Sequence, residues 1–303
     1  MRTLIAFAAV LCALGADAGE EPRFEARPVA IFNQHLYYGS LSRPLGLAFD
    51  REHDELWVAD SANGLIGIFR ADGAELFAFG SRERLREPAR VTIAPGGNVV
   101  VIEGDRSVAR RFNYRGEYLG DLVIPEIGAK PVIGAIAYDQ AGNVYVGDNR
   151  SSQVFIVRSD GRLKSKFGTR GTDEGQFQAI AGIAIGGDGT IYVLDQQAIV
   201  VQAFDSQGNF LRGWGRHEMG AENFSLPAGI ALDGKGHVFV ADQLRHQIKV
   251  FSTDGEMLGI FGGLGEGSGQ LSFPTDVACD REGRVYVTER LTSRVQLFEL
   301  TIP

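Results

Sequence analysis

Cysteine is almost missing from this chain: Cys12 and Cys279 are the only two in 303 residues. Cys12 falls in an N-terminal run expected to be removed, so Cys279 has no intrachain partner and a disulfide-stapled fold is excluded. Long apolar stretches are missing too. None approaches the roughly 20 residues of a membrane-crossing helix, and almost no segment keeps a helical period long enough to compete with strands. Basic charge is in deficit, with 30 Lys and Arg against 38 Asp and Glu and a formal net charge of −8. That excludes a general nucleic-acid binder, which needs clustered cations to release counterions from phosphates.

Catalytic signatures are equally scarce. The five histidines are His35, His53, His217, His237 and His246, with no His-x-x-x-His pair among them. His217 and His246 are the two that could meet, but a zinc site needs three or four tetrahedral ligands. Exposed loop histidines are therefore expected. No Gly-x-Ser-x-Gly elbow occurs, and the glycine-rich "GLGEGSGQ" lacks the Lys-Ser or Lys-Thr that follows in a phosphate loop. No catalytic residue and no metal ligand is assigned, and Cys279 in "DVACD" is expected as a small buried thiol.

What is present begins with "MRTLIAFAAVLCALGADAGE". One Arg, an apolar run from Leu4 to Leu14 and the small-residue pattern Ala16-Asp17-Ala18 predict a secretory signal over residues 1–18. The remainder, 19–303, is expected as a single exported domain, periplasmic or extracellular, without a transmembrane segment. Its composition is ordinary for a globular protein, 44% hydrophobic and 22% charged.

That domain repeats. "HVFVADQLRHQIKVF" has five relatives along the chain: "LWVADSANGLIGIF", "VVVIEGDRSVARRF", "VYVGDNRSSQVFIV", "IYVLDQQAIVVQAF" and "VYVTERLTSRVQLF". Their acids are Asp60, Glu103, Asp148, Asp195, Asp242 and Glu289, separated by 43, 45, 47, 47 and 47 residues. Nine residues beyond each stands Phe69, Phe112, Val157, Phe204, Phe251 or Phe298; fifteen or sixteen before it stands Pro44, Pro88, Ile133, Ile180, Pro227 or Pro274. A period of 40 to 50 residues points to a propeller or solenoid. Within each copy, short alternating β-branched runs separated by glycine turns give four antiparallel strands. The expectation is an all-β, six-bladed β-propeller with blades over residues 43–300.

"GQLSFPTDVACDREGRVYVTERLTSRVQLF" and "GTDEGQFQAIAGIAIGGDGTIYVLD" resemble NHL repeats, with a Gly-rich approach ending in Gly-Gln-Phe or Gly-Gln-Leu, an inner strand, a Gly turn and an apolar strand ending on an acid. The resemblance runs from Arg43 to Phe298 and implies the six-bladed propeller of that family, whose members are binding platforms and, in some cases, enzymes. The Asn and Arg often found between acid and final strand survive most clearly as Asn63 and Arg294. No RING, B-box or coiled-coil segment accompanies the repeats, so the ubiquitin-ligase role of some relatives does not transfer.

The last repeat stops after three strands at "VQLFELTIP", which would leave an open edge. "RPVAIFNQHLYYG", residues 27–39, is expected to supply the missing outer strand and close the ring. The six acids then fall on one face, the upper one. A feature found in every blade serves the blade, so they are expected to accept backbone N–H bonds in their own turns. Function is expected where the copies differ. On the upper face and channel mouth the candidates are Arg43, Glu87, Arg90, Arg106, Arg150, Arg245, Asp276 and Arg290. Guanidinium groups favour carboxylate, phosphate and polar-peptide partners, and Arg90 and Asp276 are the charged members of the channel-facing set that also holds Gly46, Ala135, Gly182 and Gly229. The leading expectation is a monomeric, cofactor-free recognition module for a protein, peptide or carbohydrate. The alternative is a lyase or hydrolase whose calcium or magnesium is held at the channel mouth by Glu87, Asp276 and Glu289.

Overall fold

A computed structural model describes residues 24–80, 85–104, 108–128 and 130–302. The expected signal over 1–18 lies outside the described residues, as do Arg106 and the N-terminal Cys12. Among the described residues the chain forms six four-stranded antiparallel sheets. Each blade runs outward from the axis, as in the first: Pro44–Asp50, Glu55–Asp60, Leu65–Arg70 and Glu75–Gly80. The innermost strands of blades two to six are Pro88–Ile93, Ile133–Tyr138, Ile180–Ile185, Pro227–Leu232 and Pro274–Cys279.

Two of the repeated sequence signals mark irregularities in the ladders. Each inner strand slips register just after its anchor, between Pro44 and Gly46 and at the equivalent point of every other blade. Proline has no N–H to lose and is tolerated at the first residue of a strand or at a bulge. The residue nine beyond each acid marks a second slip, where the third strand meets the outer one, as at Phe69, Phe112, Val157, Phe204 and Phe251. In blade six the slip falls between Pro28 and Ala30, opposite Phe298. All six of these side chains are buried. A bulge bends its strand, and the residue beside each of these is an apolar side chain packed in the core.

The core consists of layers between neighbouring blades rather than one central mass. Blade three gives Tyr145, Val154 and Ile156 and blade four gives Ile180, Ile183, Ile191 and Val193 to one such layer. The junction between blades six and one is packed in the same way, by Phe32, Tyr286 and Val295 against Leu47, Val58 and Phe69.

Closure of the ring follows the expectation with different bounds. The outer strand of blade six is Glu25–Phe32, antiparallel to Arg294–Thr301 from Glu25 opposite Thr301 to Phe32 opposite Val295. Residues 33–39 do not continue it. Gln34–His35 and Gly39–Ser40 form a separate two-stranded hairpin instead. The strand stops at Phe32, which packs into the inter-blade layer, and beyond it His35 is drawn to carboxylates of blade one.

Candidate functional site

The six strand-end acids are buried, and each accepts a backbone N–H from the loop that leads into the innermost strand of its own blade. Asp60 accepts from Ser42 at 2.8 Å, Glu103 from Arg86 at 2.9 Å, Asp148 from Val132 at 2.8 Å and Asp195 from Gln178 at 2.8 Å. Asp242 accepts from Leu226 at 3.0 Å and Glu289 from Ser272 at 2.7 Å. Bonds within the acid's own turn are added by Arg150 and Ser151 to Asp148 and by Gln197 and Ala198 to Asp195. These carboxylates fasten the end of the second strand to the start of the first, which is a blade function.

Beside each acid lies a second position that differs between blades. Gln202, Lys249 and Gln296 occupy it in blades four, five and six, and each donates to the carbonyl 26 residues upstream, of Gln176, Asn223 and Gln270 respectively. Lys249 is fully buried, stands 3.5 Å from Asp242 and lies 4.4 Å over the Phe224 ring. Burial drives its pKa down to about 8, against the attraction of Asp242. In blade one the position is Gly67, and a Cβ there would stand 2.8 Å from Cε1 of His35. His35 fills that space, with Nε2 2.9 Å from Asp60 and Nδ1 2.5 Å from Glu75. Burial alone would lower its pKa, but the bonds to Asp60 and Glu75 outweigh burial and raise it. His35 is thus a buried imidazole held between two carboxylates and not the exposed loop histidine expected. His246 is also engaged: its Nδ1 accepts from Phe273 N at 3.1 Å.

Of the channel pair, the structure brings Arg90 and Asp276 together at 3.0 Å, with no bridging group needed. Arg90 also donates to the carbonyls of Ala181 at 3.2 Å, Ala228 at 2.5 Å and Thr275 at 3.4 Å, so one guanidinium from blade two touches blades four, five and six. Asp276 accepts from the N–H of Leu47 and of Val277 as well. Burial still pushes the Asp276 carboxyl above its ordinary pKa, although Arg90 pulls it the other way. The channel space that remains around them is about 130 Å³.

The other upper-face arginines are largely engaged with the chain itself. Arg150 donates to the carbonyl of Lys130. Arg245 donates to the carbonyls of Gly220 at 2.6 Å and Glu218 at 2.9 Å and to Ser225 Oγ at 3.1 Å. Arg43 and Glu87 pair at 2.9 Å, both in left-handed backbone (φ 52° and 47°) immediately before Pro44 and Pro88. Arg290 is exposed. The carboxylates of Glu87, Asp276 and Glu289 have separate partners: Arg43 for the first, Arg90 for the second, and Ser272, Thr292, Arg294 and Gln296 for the third.

The upper surface carries something the arginine pattern did not reveal. Leu244 and Leu291, in the loops after the second strands of blades five and six, are well exposed. So are Met219 and Leu264 in the loops that lead into those blades, and Leu36, Tyr37 and Tyr38 at the tip of the N-terminal hairpin, with exposures from 52% to 94% across the seven. They lie on successive loops from blade five round to blade one. A signal existed: two residues beyond the acids the copies read Ala62, Asp105, Arg150, Gln197, Leu244 and Leu291, so the last two blades alone put a large apolar residue there.

Comparison with known proteins agrees with this architecture. Residues 224–251 match the family model described as NHL repeat. No curated protein matches the chain in sequence. Among solved structures, a streptogramin B lyase superposes with a TM-score of 0.63 at 14% identity, over 92% of this chain and 98% of that one. A catalytically inactive virginiamycin B lyase from Staphylococcus aureus with quinupristin gives 0.61 at 14% identity, over 92% and 88%. A protein of unknown function from Bacteroides thetaiotaomicron gives 0.65 at 13% identity, over 93% and 77%. At these identities the likeness is one of fold.

Proposed function

We propose that the chain is an exported recognition module that binds a protein or peptide on its upper face. One observation carries this reading: the loops of blades five and six and the N-terminal hairpin each offer a large exposed apolar side chain on the same face. Large apolar side chains gathered on one face are what monomeric proteins otherwise limit. Beneath it, Arg245 and Lys249 hold the loop of residues 216–224, and Arg294 holds that of 266–270 through the carbonyls of Glu266, Gly267 and Gln270. Pre-ordered loops reduce the entropy cost of binding. Selection of displayed peptides on the immobilised protein tests the reading, with the Leu244→Ser, Leu291→Ser double variant as counter-target. Enrichment that depends on the two leucines supports it; peptides that bind both forms equally remove the crown as the site. A glycan array run in parallel assigns the face to carbohydrate if sugars, and not peptides, respond to the same variant.

The alternative is a divalent-ion-dependent lyase or hydrolase at the channel mouth, and two of the structural neighbours are lyases. Glu87, Asp276 and Glu289 would need to leave their present partners to act as one ligand set. Elemental analysis of the purified protein decides the point, since a stoichiometric divalent ion lost on Asp276→Asn would put this alternative ahead.

A further inference from the structure

The face opposite the apolar crown holds a vestibule of about 820 Å³, within the size range of small-molecule sites. It is built from the lower ends of the innermost strands and the glycine turns that follow them in blades three, four and five, with Arg51 reaching in from blade one. A second recess of about 330 Å³ shares Arg51, Tyr138, Asp139 and Gln140 with it and extends towards blade two through Ile93 and Pro95. Arg90 fills much of the channel between the two faces, so this concavity is separate from the crown.

Although the lower turns are rich in acids, the carboxylates lining the vestibule are engaged with their own turns. Asp139 accepts from Asn143 N and Nδ2 and from the Tyr145 hydroxyl. Asp188 accepts from the N–H and hydroxyl of Thr190, which hold its carboxyl below the ordinary pKa. The cations are engaged differently. Arg51 spends one N–H on the carbonyl of Leu232 at 3.0 Å and pairs with no carboxylate among the described residues. Arg212 donates Nε to the carbonyl of Thr253 at 2.8 Å, pairs with the largely exposed Asp254 at 3.6 Å and hydrogen-bonds the Tyr192 hydroxyl, and the rest of its five N–H donors remain for a ligand. The Tyr138 hydroxyl bonds to no described residue, and burial pushes its pKa up to about 12, so it stays a donor. Ala184, Ile185 and Leu232 supply apolar wall between these groups.

Two guanidinium groups with spare donors, a phenol and apolar walls are suited to a small organic anion. From this we infer that the lower vestibule is a binding site for a hydroxylated carboxylate of sugar size, such as a uronic acid. Arg51 and Arg212 take the carboxylate, where a planar fork gives bidentate geometry. Tyr138 and Gln140 take the hydroxyl groups, and the apolar wall takes the carbon skeleton.

Isothermal titration of the full chain with glucuronate, glucose and sulfate tests this assignment. Glucuronate should bind at least about tenfold more tightly than either of the others. Arg51→Gln and Arg212→Gln should each weaken glucuronate by about tenfold or more, Tyr138→Phe by a smaller factor, and Leu244→Ser not at all. Tyr138→Phe removes a single oxygen, so it remains informative if an arginine variant fails to fold. Equal binding of glucuronate and glucose, or of glucuronate and sulfate, overturns the assignment, as does glucuronate binding indifferent to all three vestibule substitutions. Since the crown is on the other face, the peptide selection and this titration succeed or fail separately.

Discussion

The position seven residues beyond each strand-end acid holds Gly67, Arg110, Phe155, Gln202, Lys249 and Gln296. Where it is Gln, the amide donates to the approach loop and accepts from it, as Gln202 does with Gln176 O and Gly175 N. The two ionising substitutes give the fold pH dependences of opposite sign. The pKa of His35 is raised above its ordinary 6.5 in the folded state. Its contribution is therefore complete below that value and is lost as pH rises through the folded pKa, because the folded state holds a proton the unfolded chain releases. Lys249 is lowered from 10.5 to about 8. Between those values the unfolded chain holds the extra proton, so stability rises with pH across that window. Urea unfolding as a function of pH checks both. His35→Ala should cost about 3–5 kcal/mol at pH 6, leaving Asp60 and Glu75 buried without their cation, and the cost should shrink at alkaline pH. Lys249→Gln, which installs the residue of blades four and six, should match or exceed wild-type stability at pH 7 and abolish the rise above pH 8. A profile unchanged by either substitution would remove these side chains from the pH response.

At the scale of elements, the closing strand joins the two ends of the described chain in one sheet. Phe32 anchors it, with its ring 5.7 Å from Phe69 of blade one and 6.4 Å from Tyr286 of blade six. Phe32→Ala should cost about 3–5 kcal/mol and lower the melting temperature by roughly 10 °C in scanning fluorimetry. Faster hydrogen exchange should appear first along Arg294–Thr301, whose outer edge the strand covers. An unchanged melt would mean that the ring does not depend on this contact. The inner anchors, the acids and the apolar residues at the bulges, Phe in five copies and Val157 in the third, were legible in the sequence because they recur in every copy, and a wrong alignment of one copy is corrected by the others. The closing strand occurs once. Its existence followed from the missing strand of blade six, but its end did not, since nothing repeats to fix the boundary at Phe32. His35 was illegible for a related reason: its burial depends on a side chain that is absent, at Gly67, and on carboxylates 25 and 40 residues away. Placing the arginines above the ring was possible from strand order. The partners of Arg150 and Arg245 were not, because these are mostly carbonyls in loops of unequal length.

The whole ring meets only at its axis, where six inner strands face one another and none of the described segments passes through. Glycine and alanine at Gly46, Ala135, Gly182 and Gly229 let those strands approach closely: a Cβ on Gly46 would lie 2.7 Å from Ala89 O, and one on Gly229 would strike Asp276. Arg90 is the side chain that ties across this space, through three carbonyls and one carboxylate. Asp276 has a raised pKa despite that partner, so its desolvation outweighs the attraction of Arg90, and the ion pair by itself contributes little. The consequence is a specific pattern in a double-mutant cycle. Arg90→Ala should destabilise by about 3–5 kcal/mol, because Asp276 is left buried with backbone donors alone. Adding Asp276→Ala should recover part of that loss in urea unfolding, because the stranded charge goes with it. A double variant no more stable than Arg90→Ala would place the stabilisation in the carbonyl bonds to blades four and five, and the arginine would then act as a strut for the wheel whatever the charge beside it.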